Sequence, residues 1–303
     1  MAAGSFMISL HTARAQVSFL FDYTYDTGGF FTANSLAKTD LEAAASTLQS
    51  RLADGLSAIT PGDGNSWLVA FPNPSTGGQQ SINNPSVAAN TVVVYVGARN
   101  LENNALGLGL FGDSASSGTP SWMNAVGTRG QIGAPAIDFG PWGGSISFSS
   151  TASWYFDPDP STTESFAGQY DFYSVAVHEL GHVLGFGTAP SWNNLVVGGQ
   201  FTGPAAAALN GGNALALDPS RAHWAQNTLS TLPGTSTPQE AAMDPTLSAG
   251  ARKDLTDLDW AGLNDIGWSV TPVPEPQAYA TVALGLLAFA LFRRRRVRRV
   301  KTV

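Results

Sequence analysis

The stretch SVAVHELGHVLGFGTAPSW, Ser174 to Trp192, joins an apolar helical pattern to two histidines and a glutamate. Val175, Val177, Leu180, Val183 and Leu184 predict a buried helix that begins near Asp171 or Ser174 and stops at Gly185. Residues four apart share a helix face, so His178 and His182 can direct two imidazoles at one ion. Glu179 lies too far round the helix to bind alongside them. It can reach a water held there and act as general base.

A catalytic zinc takes three protein ligands and keeps one position open. The chain has no cysteine, so neither thiolate ligands nor a disulfide-linked partner is available. Of its four histidines, His11 falls in an expected leader. His178, His182 and His223 then remain as the ligand set for one Zn2+ ion. His223 stands in DPSRAHWAQ, where Asp218 is the alternative third ligand.

The run HELGHVLGF, followed much later by HW at His223 and by AAMDPTL, resembles the metzincin clan of zinc endopeptidases. The commonest pattern of that clan has its third histidine where this chain has Thr188. The likeness is therefore closer to the leishmanolysin-like branch, whose third histidine follows an insertion, and it extends from Gly143 to Trp268. It implies an α+β fold: a two-lobed domain at 16–271 with a central active-site helix and a methionine turn at Met243. It also implies a peptide or protein substrate, cleaved with Glu179 as catalytic base. In that clan an edge strand pairs with substrate, and GGSISFSS, at Ser145, Ile146, Ser147 and Phe148, is the candidate here, a plain sheet strand being an equal alternative. Tyr155, Tyr170 and Tyr173 are nearby tyrosines among which the sequence does not select. Two rival readings are a zinc-containing surface or matrix binding protein that has lost catalysis, and a zinc amidase acting on envelope polymers. The intact Glu179 speaks against the first. Asp157 and Asp159, with Asp113 upstream, could bind a structural Ca2+, though solvated loop carboxylates are the better reading.

Composition sets outer limits. The chain has 303 residues, 43% hydrophobic and only 12% charged, enough for one large domain with a weakly charged surface. Residues 16–271 hold 7 Lys and Arg against 21 Asp and Glu, a net charge of −14, which argues against nucleic acid as partner. Seven of the fifteen basic residues fall in the last eleven positions. They follow a proline-rich spacer and an apolar run from Ala278 to Phe292. This order at 272–303, with the motif Val273-Pro274-Glu275-Pro276, resembles the PEP-CTERM sorting signal of Gram-negative envelope proteins. That resemblance implies export, a transient transmembrane anchor with arginines on the cytoplasmic side, and processing by a membrane-bound sorting peptidase. Residues 1–15, ending in Ala13-Arg14-Ala15, are the expected signal peptide.

Elsewhere, strands are expected from Val17, Ser66, Thr91 and Gly143, with the Thr91 strand β-branched enough to be central. Thr39 and Glu42 suggest a capping box and a helix over 40–53. The Gly/Ser-rich stretch 107–144 reads as loop, and a last helix is expected within LTDLDWAGLNDIGW, 255–268.

Overall fold

The structure, a computed structural model, describes residues 16–273 apart from 130, 132–136 and 163. The expected leader and nearly all of the expected sorting segment lie outside those residues. Among the described residues no helix is long and apolar enough to cross a membrane.

The chain runs through β1 (Ser18–Asp22), α1 (Phe30–Ala33), α2 (Ser35–Gln49), β2 (Ser66–Pro72), β3 (Gln79–Asn83) and β4 (Thr91–Arg99). Next come β5 (Gly107–Phe111), β6 (Asp113–Ser117), α3 (Pro120–Thr128), β7 (Gly143–Ser149) and α4 (Phe172–Val183). Short helices α5 (Pro190–Asn194) and α6 (Pro204–Leu209) precede the last helix, α7 (Asp257–Asp265), with strands of two or three residues between. The class is α+β.

The main sheet has the order β1-β4-β7-β5. β1, β4 and β7 are parallel and β5 is antiparallel to β7. The β-branched run of β4 lies inside the sheet, with Val92, Val94 and Val96 fully buried on one face and Tyr95 buried on the other, as a parallel strand covered on both faces requires. Helix α2 presents Ala37, Leu41, Ala44, Ala45 and Leu48 as one buried stripe and packs it on α4. That stripe explains why α2 begins at Ser35 rather than at the expected capping box. Ala37 extends the apolar face by one turn, which places Asp40 in mid-helix, fully buried. A second antiparallel sheet, β3-β2-β6, carries its own core of Trp67, Phe71, Tyr95, Trp122 and Trp142.

Two expectations are corrected. Residues 107–144 are not loop throughout, since β5, β6 and α3 lie there. The proposed substrate strand Ser145, Ile146, Ser147 and Phe148 is interior, because β7 pairs with β4 on one side and β5 on the other and all its residues are buried. A strand with both edges hydrogen-bonded cannot receive another. The free edge belongs to β5, whose pairing is with β7 alone.

Candidate metal centre

Helix α4 is fixed at both ends by its own sequence. Asp171 caps the start, its Oδ2 accepting from Ser174 N at 3.1 Å and from Ser174 Oγ at 2.5 Å. Arg252 holds that same carboxylate at 2.8–2.9 Å through Nη2 and Nε. At the other end Gly185 adopts φ +97, a conformation suited to glycine. Gly185 N donates to His182 O and Phe186 N to Gly181 O, both at 3.0 Å, the two bonds of a Schellman cap. The cap aims the Phe186 carbonyl back at the helix, where it accepts from His182 Nδ1 at 2.8 Å. His178 Nδ1 donates in the same way to Ala242 O at 2.7 Å. With each Nδ1 carrying the proton, each Nε2 is left with its lone pair free.

The third imidazole comes from 41 residues downstream. Trp224 anchors it, fully buried among Phe186, Trp192 and Phe201. Trp224 N donates to Met243 O at 3.1 Å, which ties the His223 segment to the turn at Met243. Met243 lies beneath α4 where the helix has Gly181; a Cβ there would come within 2.7 Å of Met243 Sδ.

The three Nε2 atoms converge. His182 Nε2 is 3.1 Å from both His178 Nε2 and His223 Nε2. Two nitrogens each about 2.0–2.1 Å from one tetrahedral ion sit roughly 3.3 Å apart, so the spacing fits a single metal ion. His178, His182 and His223 are the group among the described residues able to hold one. Burial lowers the basicity of all three: His182 falls to about 3 through desolvation and then repulsion from His223. His178 is driven well below its usual value by the same causes, and His223 is lowered by burial against the opposing pull of Asp218. Neutral imidazole is the form a metal requires.

The alternative ligand Asp218 is not among the converging atoms. It organises the loop, accepting from the backbone N of Ala222 and His223 at 3.1 Å and from Ser220 Oγ at 2.7 Å. Its Oδ2 lies 3.5 Å from His223 Nδ1, on the side of the ring away from the cluster. The candidate calcium ligands are not brought together either. Asp157 is fully buried against Arg252 at 2.6 Å, Asp159 accepts from Ser161 in its own turn, and Asp113 sits exposed on β6.

Glu179 points to the other wall. Its Oε2 accepts from Gly109 N of β5 at 2.6 Å. Burial pushes the carboxyl up to about 8 against that bond, and a dication nearby would draw it down again. β5 approaches so closely because it is glycine where it faces α4. A Cβ on Gly109 would stand 2.3 Å from Glu179 O, and one on Gly107 equally near Glu179 Oε1. A cleft of about 530 Å³ runs between β5 and the segments carrying His223 and Met243. Of the three tyrosines, Tyr170 lines the cleft, whereas Tyr173 bonds Thr47 and Tyr155 stacks on Phe166.

Asp259, which the sequence did not single out, joins these parts. Its carboxylate accepts from Ala242 N at 2.9 Å, Met243 N at 3.1 Å and Trp224 Nε1 at 3.0 Å. It also closes a capping box with Thr256 at the start of α7. The Thr256–Asp259 spacing was the available signal. No protein-family model matches the chain, and no curated protein or solved structure resembles it significantly.

Proposed function

We propose that this chain is a zinc-dependent endopeptidase of metzincin type. One observation carries the reading. Three neutral imidazoles converge through Nε2 while a carboxylate from the same helix faces a cleft bounded by an unpaired strand edge. A site that only held structure would have no use for that carboxylate. Met243 under the helix, and a third histidine well beyond Gly185, support the leishmanolysin-like arrangement.

Zinc held by His178, His182 and His223 would supply Lewis acidity, polarising the scissile carbonyl and acidifying a water in its open position. The chain's own residues do the rest. Gly109 N–H holds Glu179 Oε2, leaving Oε1 to take the water's proton and return it to the departing amide nitrogen. Substrate backbone adds to β5. Because Gly109 N–H points away from β7, the alternation of an antiparallel strand gives Gly107, Gly109 and Phe111 the outward-facing groups; with Gly109 N–H engaged by Glu179, the Gly109 carbonyl and the groups of Gly107 and Phe111 are left for substrate. The expected partners are thus an extended peptide or protein and, from the terminal segments alone, a membrane-bound sorting peptidase that would release the exported enzyme at the cell envelope.

Glu179→Gln tests the assignment. It should retain one zinc per chain, with peptide hydrolysis reduced at least about a hundredfold. Hydrolysis at the wild-type rate by the zinc-loaded variant would remove Glu179 as the base.

A further inference from the structure

The cleft does not end at the histidines. A second hollow of about 400 Å³ continues it, sharing Leu110 and Thr188 with the first. Phe71, Gln79, Phe111 and Asp113 line this second hollow, and Asp113 is its one ionisable lining residue. Thr188 Oγ1, at the junction, is buried without a hydrogen-bond partner, which leaves it to bond whatever lies in the cleft. Building on the endopeptidase reading, we infer that the second hollow receives a basic side chain of the substrate, two or three residues before the cleaved bond, with Asp113 as the specificity-determining residue.

Direction and distance follow from β5. A peptide laid antiparallel on its free edge runs from the Phe111 end toward Gly107, so residues upstream of the scissile bond lie over Leu110 and Phe111. Glu179 is bound at Gly109, and at about 3.4 Å per residue Phe111 stands two residues along. The side chains placed there enter the hollow that Phe111 and Asp113 line. Asp113 is exposed and has no ion-pair partner among the described residues. Arg99 touches the hollow's rim at Gly77 without lining it. The net charge of −14 over 16–271 adds a general attraction for basic chains.

The test uses the full zinc-loaded chain and fluorogenic peptides of one sequence. Norleucine, lysine or glutamate is placed in turn at each of four upstream positions, and binding of the same peptides to Glu179→Gln is followed by anisotropy. Lysine at the second or third position should raise kcat/KM and affinity about two- to fivefold over norleucine, the range of a solvent-screened ion pair. Asp113→Asn should erase that gain, so that lysine and norleucine peptides are bound and cleaved alike, and Asp113→Lys should turn the preference to glutamate. Equal rates for lysine and norleucine, a wild-type preference for glutamate, or a lysine preference surviving Asp113→Asn would overturn this inference alone. Neither binding nor hydrolysis of any peptide would overturn the endopeptidase reading and this inference with it.

Discussion

Replacing Gly109 by alanine should damage the fold more than replacing Gly107, although the two added methyl groups meet their neighbours at the same distance. At Gly109 the Cβ would lie 2.3 Å from Glu179 O and 2.9–3.0 Å from Glu179 C and Cα. These are backbone atoms of a buried helix and cannot rotate away, so β5 must withdraw from α4 by about an ångström to restore contact distance. Overpacking of this kind costs about 1–3 kcal/mol, and alanine recovers about 0.4–1 kcal/mol by restricting the unfolded chain. A backbone clash belongs at the upper end, giving a net loss of about 2 kcal/mol, or roughly 4–8 °C in Tm for a domain of this size. At Gly107 the added Cβ meets the Glu179 side chain, Oε1 at 2.3 Å and Cδ and Cγ at 2.6 Å, which can swing aside. Gly107→Ala should therefore unfold within about 1 kcal/mol of wild type yet lose hydrolysis, because the carboxylate is displaced. Guanidinium unfolding of the zinc-loaded proteins, beside one peptidase assay, separates the cases. A Gly109→Ala protein as stable as wild type would refute the direct packing of β5 backbone on α4.

Three further outcomes follow from the geometry. His223→Ala should abolish stoichiometric zinc binding, and Asp218→Asn should weaken it about tenfold by loosening the loop that presents His223; isothermal titration with zinc reads both. Asp40 is raised to about 7, chiefly by burial, so its favourable contribution is complete below pH 4 and is lost as pH rises through about 7. The stability of Asp40→Asn relative to wild type should accordingly increase from pH 5 to pH 8 in parallel thermal melts, and a difference independent of pH would contradict that linkage. Asp259→Leu should cost at least about 3 kcal/mol by stranding the buried N–H groups of Ala242, Met243 and Trp224, and its zinc affinity should fall with the loss of register between the methionine turn and His223.

The helix that carries His178 and His182 was legible because its logic is local. Two histidines four apart, a capping Asp171 and a terminating Gly185 are all read within fifteen residues. His223 was reachable because histidine is scarce in the chain. The wall opposite was not. In GLGLFGDSASSG the period-two pattern is present, with Leu108 and Leu110 alternating with Gly107 and Gly109, but the two positions that meet α4 carry no side chains. An alternation of leucine with glycine reads as a loop when closeness, not hydrophobic area, is what the strand needs. β7 was mistaken for the edge because strand order depends on pairing across 107–148, which no local pattern encodes. Asp259 escaped for a related reason: its partners lie 16–35 residues away, so only its cap with Thr256 is written locally.

The distance between His182 and His223 has a consequence for how the chain stays folded. This sequence has no cysteine. An ion shared by those two rings would be its single covalent-like cross-link, closing a loop of 41 residues. The site exists only in the folded chain, so the free energy of binding the ion adds to that of folding and the ends of the loop stay joined only while the ion is held. The staple spans α5, α6 and the glycine- and alanine-rich segment around them, where no helix or strand exceeds six residues. Loading with metal would thus act as a folding checkpoint: a copy that never acquires its ion lacks that added free energy, and is the copy a protease would find first.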